Sequence, residues 1–223
     1  MDSVDDRVAS RRTFVQFLAY VIAFHLLWIA WPLAVYPRLL SLGNTTLEYA
    51  VVSIGCRLLV WVVPVLLYVR YVDGVDPVGY LKLRSRIGRG VALAAVVTTL
   101  NVLGTIGRFG VPHPSLQRIT WHSVLGTSLL VGVIEEIPYR GFMLQKFAER
   151  WGFWRGNVMT SALFLAVHVP GWIVLHALSV EKVITIYVFG FVMGLLLRYS
   201  GSLWAPILSH SANDFLSFVV FGL

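Results

Sequence analysis

The sequence predicts an all-α protein, a polytopic transmembrane helix bundle of about seven spans. Hydrophobic residues make up 57% of the 223 positions and charged residues only 13%, whereas about 25% charged is ordinary for a soluble domain. Apolar runs long enough to cross a bilayer recur along the chain, and short segments that carry many of the basic residues separate them. Eight tryptophans are typical of a protein with aromatic belts at the membrane interfaces. We therefore expect an integral, multi-pass membrane protein in contact with the lipid bilayer.

Seven apolar segments are the predicted spans, and prolines shape several of them. They cover residues 14–36, 49–68, 91–106, 121–143, 154–178, 183–198 and 203–221. Pro64 and Pro138 each predict a kink, because proline cannot donate to the carbonyl four residues earlier. The Pro-Gly pair at 170–171 predicts a helix that breaks where it lines a cavity. Arg57 lies inside the second span, where it either extends to the interface or pairs within the bundle.

The basic residues predict the orientation of the bundle. They are frequent in the N-terminal segment, in residues 70–89, in residues 146–155 and at Arg198. Seven spans place all four regions on one side, which the positive-inside rule identifies as cytoplasmic, with a cytoplasmic N-terminus. This topology explains the net charge of +7 more simply than nucleic acid, which we do not expect as a partner. A single cysteine, Cys56, excludes an intrachain disulfide and a thiolate cluster.

The fourth span carries three ionisable residues within six positions: Glu135, Glu136 and Arg140. Such a residue costs roughly 2.5–3.5 kcal/mol at the bilayer centre, so it normally faces the protein interior and marks function. Glu136 and Arg140 are i,i+4 neighbours in the favourable order for an ion pair, which we expect to be structural. Glu135 lies about 100° around the helix from Glu136 and has no cation four residues away. We therefore expect Glu135 to have a functional role.

Two further spans carry polar groups that need partners. His168 lies in the fifth span, and His210 lies in the seventh with Asn213 and Asp214 three and four residues on. Each group would be unpaired if it faced lipid alone, so convergence of the three helices on one polar notch is the economical arrangement. On the predicted topology Glu135 and His210 occupy the cytoplasmic halves of their helices, and His168 is nearer mid-depth.

This set of groups suits the hydrolysis of an amide. Glu135 would act as a general base for water, His168 would position the water or move a proton, and His210 with Asn213 or Asp214 would bind the oxyanion. The glutamate mechanism needs no cofactor. The same groups also permit a metalloprotease interpretation, in which Glu135, His168 and His210 hold a divalent metal such as zinc with a fourth position open. The residues alone leave both mechanisms open.

Three motifs in order along the chain resemble those of a known family. Glu135-Glu136-x-x-x-Arg140, Phe164-x-x-x-His168 and His210-x-x-x-Asp214 are similar to the motifs of the type II CAAX prenyl endopeptidase and bacteriocin-processing (CPBP) intramembrane proteases, also called the abortive-infection family. The resemblance implies an endopeptidase in which Glu135 activates water, His168 assists, and His210 with the residue four on forms the oxyanion site. The family has Asn or Asp at that last position. Here either Asp214 is protonated, or it orients His210 while Asn213 donates.

The resemblance also organises the chain. Residues 1–13 form a cytoplasmic N-terminal segment, residues 14–120 are accessory helices with a basic loop, and residues 121–223 are the protease-like core. It implies a bacterial cytoplasmic membrane and a membrane-associated protein or peptide substrate near the cytoplasmic leaflet. A prenylated C-terminal peptide, a bacteriocin leader and a sorting tail all fit. Two other functions use the same residues, namely a proton-coupled transporter and a catalytically silent bacteriocin-immunity scaffold. No feature of the sequence indicates an oligomeric state.

Overall fold

The computed structural model describes residues 4–112 and 116–222, which are helical and contain no strand. Consecutive helical segments form seven rods, labelled α1 to α7 in chain order. The first three are α1 (Val4–Ala30, Trp31–Val35 and Tyr36–Leu40), α2 (Leu47–Arg57, Leu58–Val62, Val63–Leu67 and Tyr68–Val72) and α3 (Ile87–Phe109). The other four are α4 (His122–Leu129, Val131–Glu136, Ile137–Met143 and Leu144–Trp151), α5 (Phe153–Val174), α6 (Val180–Ser200) and α7 (Trp204–Asp214 and Phe215–Phe221).

Five stretches of the described residues are long and apolar enough to cross a membrane. They are Thr13–Leu39, Leu47–Val72, Ile87–Phe109, Phe153–Val174 and Val180–Ser200. The two other predicted spans correspond to α4 and α7, which carry the acidic motif and His210. Their polar residues lower their mean hydropathy, which is the expected result when a helix contributes chemistry to a bundle interior. The all-α membrane bundle predicted from the sequence is confirmed.

Tight turns between the rods arise from residues suited to them. Gly152, with φ of 79°, separates α4 from α5, and Gly201, with φ of 70°, separates α6 from α7. Glycine adopts this left-handed region without the steric cost of a Cβ. Ser179 begins α6 by accepting a hydrogen bond from the backbone N–H of Lys182 at 3.2 Å. Neighbouring rods in the second half of the chain therefore run in opposite directions.

The prolines act differently from one another. A π-helical segment accompanies each of the two prolines predicted to cause kinks. Leu58–Val62 ends two residues before Pro64, and Ile137–Met143 contains Pro138. The predicted break at residues 170–171 is wrong, because Phe153–Val174 continues through Pro170 as one helix. Proline removes one backbone donor, and helices in a membrane bundle tolerate that loss when their neighbours hold them in place.

The first helix also differs from the predicted span, because α1 already begins at Val4; residues 1–3 lie outside the described residues.

Contacts near the ends of the rods define two opposite ends of the bundle. At one end, which we call the basic face, Lys146 pairs with Asp73 at 2.7 Å and Trp204 Nε1 donates to the carbonyl of Leu83 at 2.8 Å. The first described side chains of α1 join the same end, where Phe14 packs edge-on against Trp151 with ring centroids 5.1 Å apart. At the other end, the far face, Arg108 pairs with Glu181 at 3.2 Å. The segments rich in basic residues therefore meet at one end, as the sequence predicts.

Candidate active site

The predicted ion pair between Glu136 and Arg140 is present and completely buried. Arg140 Nη1 lies 3.0 Å from Glu136 Oε1, with the two side chains 1% and 0% exposed. The second terminal nitrogen of Arg140 donates to the carbonyl of Gly190 in α6 at 2.9 Å, and the guanidinium lies 4.2 Å from the ring centroid of Phe164 in α5. This one cation therefore joins α4, α5 and α6 beside the other polar groups of the site.

His210 of α7 extends the same network. Its Nδ1 lies 2.7 Å from Glu136 Oε1, and because a carboxylate oxygen accepts, Nδ1 carries the proton. The other ring nitrogen, Nε2, is 3.9 Å from Glu135 Oε2 and 3.8 Å from Asp214 Oδ2. Glu136 thus fixes the ring so that Nε2 faces the space between the other two carboxylates.

Glu135 has a partner that the sequence analysis did not assign to it. Arg57 Nη2 of α2 lies 2.6 Å from Glu135 Oε1, and Arg57 Nη1 donates to the carbonyl of Gly126 at 3.3 Å. Of the two alternatives for Arg57, pairing within the bundle is therefore the observed one. The contact leaves Glu135 Oε2 as the oxygen that faces His210. An arginine in the middle of an apolar span indicates that it has a buried partner. The sequence does not identify that partner, because Glu135 is 78 residues away in the chain.

His168 of α5 is oriented by its own helix. Its Nδ1 lies 2.7 Å from the carbonyl oxygen of Phe164, and because a carbonyl can only accept, Nδ1 is the donor. In the neutral ring this leaves Nε2 as an acceptor. His168 and Glu135 line the same cavity, so the structure brings the polar groups of α4, α5 and α7 together.

Asn213 and Asp214 differ in their contacts. Asn213 Oδ1 accepts from Asn101 Nδ2 of α3 at 2.6 Å, while Asn213 Nδ2 donates to Asp214 Oδ1 at 3.1 Å. The second oxygen of Asp214 faces His210. One amide hydrogen of Asn213 is thus directed to Asp214, and Asp214 lies between the amide and the imidazole.

A cavity of about 670 Å³ contains these groups. Its lining includes the candidate residues Glu135, His168, His210, Asn213 and Asp214. A second, smaller cavity of about 260 Å³ meets the first at Glu135, His168 and Trp172. Aromatic rings dominate the smaller cavity, and they belong to Trp28, Trp31, Tyr36, Trp61 and Trp172. The glutamate and the histidine therefore stand where a polar cavity and an aromatic cavity join.

The described residues give the metal interpretation no support. The described residues contain no group of three or more His, Cys, Asp or Glu side chains that could hold a metal ion. Arg57 occupies one oxygen of Glu135, and a guanidinium at 2.6 Å competes directly with a metal cation for that carboxylate. Glu135 Oε1 is therefore already paired with a cation in this structure.

Gly132 allows α4 and α7 to approach closely enough for the His210–Glu136 contact. A Cβ at this position would collide with the backbone carbonyl of Ile207, which no side-chain rotation can relieve. We expect Gly132→Ala to lower the free energy of unfolding by about 1–3 kcal/mol, the usual cost of overpacking, and to lower any activity of the site. Thermal or detergent unfolding measures the effect. Gly104→Ala is the matched control in α3, because nothing lies within 4 Å of its added Cβ; an equal effect of both changes would contradict this explanation.

Comparison with known protein families gives one match. Residues 117–216 match the family model described as type II CAAX prenyl endopeptidase Rce1-like. The matched region contains α4, α5, α6 and most of α7, with all seven candidate residues predicted from the sequence, whereas Arg57 and Asn101 lie outside it. Searches of curated proteins and of solved structures returned no match. Residues 117–216, somewhat less than half of the chain, are therefore similar to the Rce1-like type II CAAX prenyl endopeptidases, and this match supports the resemblance of the sequence motifs to the CPBP intramembrane proteases.

Proposed function

We propose that the protein is an intramembrane endopeptidase that hydrolyses a peptide bond of a membrane-associated polypeptide, with Glu135 as the general base. The observation that carries the proposal is the approach of Glu135 Oε2 to His210 Nε2 at 3.9 Å, on the wall of a cavity that His168 also lines. A gap of this size between two polar atoms accommodates a reacting oxygen that contacts both. The endopeptidase family match supports the reaction class.

The first step is attack by water on the peptide carbonyl. Glu135 Oε2 accepts a proton from the water as the new carbon–oxygen bond forms, and the lone pair on His168 Nε2 orients the same water. Arg57 holds Glu135 Oε1, so the free oxygen of the carboxylate is directed at the reacting centre. Arg57 is accordingly a positioning residue in this mechanism. General-base catalysis of this kind contributes about 10²–10⁴ in rate.

The tetrahedral intermediate needs a donor for its oxyanion, and His210 supplies it in this mechanism. With Nδ1–H held by Glu136 at 2.7 Å, an imidazolium donates its Nε2–H into the cavity. One such donor is typically worth about 2.7–4 kcal/mol. The intermediate then collapses, the carbon–nitrogen bond breaks, and Glu135 returns the proton to the leaving amine.

Asp214 and Asn213 support His210 in this mechanism. Asp214 Oδ2 lies 3.8 Å from His210 Nε2, close enough to stabilise the imidazolium but also close to the developing oxyanion. The amide of Asn213 donates to Asp214 and offsets part of that negative charge. Of the two roles considered from the sequence, we favour the one in which Asp214 orients His210. The carboxamide of Asn213 then has one N–H left for substrate.

The substrate in this proposal is a polypeptide held at the membrane, and the three candidates from the sequence remain prenylated C-terminal peptides, bacteriocin leaders and sorting tails. The test is cleavage of membrane-tethered peptides of each kind by the purified protein, with products identified by mass spectrometry. We expect new termini at a single bond. Ion flux across proteoliposomes with no cleavage of any peptide would instead favour the proton-coupled transporter.

The glutamate mechanism also predicts that cleavage needs no added metal. After prolonged chelation, with residual metal measured by elemental analysis, we expect turnover to remain unchanged, because the proposed chemistry uses only Glu135, His168 and His210. A known zinc peptidase treated in parallel shows that the chelation was effective. Loss of turnover that added zinc restores would contradict the glutamate mechanism and require metal ligands from residues of this cavity.

A further inference from the structure

One polar side chain of α3 contacts the site from a helix that carries none of the residues proposed for the chemistry. Asn101 lies inside the apolar span Ile87–Phe109, about 21 Å from its first residue and about 12 Å from its last at 1.5 Å per residue. A carboxamide at that depth needs hydrogen-bond partners, because neither apolar side chains nor lipid tails supply any. Its Nδ2 donates to Oδ1 of Asn213 in α7 at 2.6 Å.

The carboxylate of Asp214 fixes the direction of this contact. Asp214 Oδ1 lies 3.1 Å from Asn213 Nδ2 and, as a carboxylate oxygen, accepts its hydrogen. The opposite orientation of the Asn213 carboxamide would place two acceptor oxygens against each other. Asn213 Oδ1 therefore faces α3, where it needs a donor. The amide nitrogen of Asn101 is that donor.

The series of contacts that starts at Asn101 ends at His210. With Oδ1 of Asp214 bonded to Asn213, the other carboxylate oxygen faces His210 Nε2 at 3.8 Å. The plane of this carboxylate, and with it the negative charge beside the imidazole, therefore depends on the orientation of the Asn213 carboxamide. A side chain of α3 is thus connected to the wall of the larger cavity, which Asn213, Asp214 and His210 line.

A third cavity explains why the Asn213 carboxamide needs this partner. It has a volume of about 420 Å³, lies between α3, α6 and α7, and includes both asparagines in its lining. Asn213 also lines the larger cavity, as do Thr185 and Phe189 of α6. The carboxamide therefore stands on the wall between two open spaces, where packing alone does not hold its orientation. The hydrogen bond from Asn101 supplies that restraint.

α3 is held against α7 independently of this bond. Near the start of α3, a Cβ added to Gly90 would be 2.9 Å from the Cβ of Ser202 and 3.3 Å from the backbone nitrogen of Ala205. The two helices are therefore in close contact near the start of α7 and meet again further along, at Asn101 and Asn213. A donor on such a rigid element is well placed to orient a side chain of the neighbouring helix.

We propose that Asn101 is a positioning residue of the oxyanion side of the site, where it holds Asn213 and, through that carboxamide, the charge beside His210. The effect of Asn101 on cleavage rests on the proposed peptidase function, whereas its effect on the imidazole ring does not. Arg57 of α2 restrains Glu135 in a comparable manner. The two sides of the site are then each oriented by one helix from the first half of the chain.

Nitrogen NMR of the histidine rings tests this connection without any need for activity. Histidine labelled with a heavy nitrogen isotope is incorporated into the protein in micelles, and His210→Gln identifies the signals of His210 among those of the six histidines. We expect Asn101→Leu to shift the Nε2 signal of His210 by more than its linewidth, because the neighbouring carboxylate is no longer held. Thr98→Val is the matched control and should leave the signal in place, since Thr98 lines the same third cavity about one turn earlier in α3.

Combination with Asn213→Ala shows whether Asn101 acts through Asn213. In that background we expect Asn101→Leu to cause no further shift of the His210 signal, because the connection is already broken. An unchanged signal in Asn101→Leu alone, an equal shift in Thr98→Val, or the full shift also in the Asn213→Ala background overturns the proposal. Asn101→Ser replaces Asn101→Leu if the leucine variant does not fold, since its short hydroxyl bonds to its own helix and does not reach Asn213.

Cleavage kinetics test the role of Asn101 in the reaction. Asn101 is not among the described residues that line the larger cavity, so we expect Asn101→Leu to lower kcat by about 10- to 100-fold with KM nearly unchanged. Thr98→Val should retain full turnover. An unaltered kcat in Asn101→Leu, or the same further loss in the Asn213→Ala background, overturns the positioning role. No cleavage by the unaltered protein counts instead against the peptidase function, and the NMR result then decides whether Asn101 orients the surroundings of His210.

Discussion

Glu135→Gln is expected to lower the rate of peptide cleavage by about 10²–10⁴, the usual contribution of a general base. A carboxamide has nearly the same shape as a carboxylate but cannot accept the proton of the attacking water at neutral pH. Its carbonyl oxygen still accepts the hydrogen bond from Arg57, which lies 2.6 Å from Glu135 Oε1 in the native protein. Turnover of a membrane-tethered peptide by purified variants, at matched concentrations of folded protein, measures the effect.

Glu48→Gln is the matched control for this change. Glu48 is exposed in the first turn of α2, outside the two cavities at the site. We expect its turnover to equal that of the unaltered protein. Full turnover by Glu135→Gln would remove the general base from the mechanism, and an equal loss in both variants would indicate a general effect of removing negative charge.

Arg140→Met is expected to lower the free energy of unfolding by about 3–5 kcal/mol, because it leaves the carboxylate of Glu136 buried without its cation. Glu136 is 0% exposed and its second oxygen has no hydrogen-bond partner among the described residues, so the N–H of His210, 2.7 Å from Oε1, is the polar contact that would remain. The change also removes the bond from Arg140 to Gly190 that joins α4 to α6. Reversible unfolding in mixed micelles, followed by circular dichroism or tryptophan fluorescence, gives the difference.

Two further variants separate the buried charge from other effects. Glu136→Leu combined with Arg140→Met removes both charges, and we expect it to recover most of the lost stability, since apolar replacements of buried pairs are often tolerated. Arg150→Met, at an exposed site, should change the free energy of unfolding by no more than about 0.5 kcal/mol. A loss in Arg140→Met no larger than in Arg150→Met would show that the buried pair has little structural importance.

The spacing of residues along the sequence was sufficient to predict the helical rods and those contacts of the site that form within a single helix. Apolar runs identified the rods, because each backbone group in a membrane must bond within its own helix. The i,i+4 spacing of Glu136 and Arg140 predicted their ion pair, since such residues lie on one face of a helix. The same rule predicted that His210 lies beside Asp214, and His210 Nε2 is 3.8 Å from Asp214 Oδ2.

Contacts between distant helices were beyond that reasoning. Arg57 pairs with Glu135 across 78 residues, and nothing in the spacing of either helix selects that partner. The bond between Asn101 and Asn213 joins α3 to α7 in the same way. Pro170 shows the opposite error, in which a local rule predicted a break and packing against neighbouring helices kept the helix continuous. Spacing in the sequence predicts contacts within one helix, whereas these features depend on how several helices pack together.

Heavy-oxygen water tests whether this cavity delivers a water molecule to a peptide carbonyl. The unaltered protein and Glu135→Gln are incubated with the tethered peptide in such water, and the mass of each new C-terminus is measured. We predict one heavy oxygen atom in every new carboxylate from the unaltered protein and almost no product from Glu135→Gln. Cleaved peptide without the heavy atom, or equal labelled product from both proteins, would contradict the mechanism.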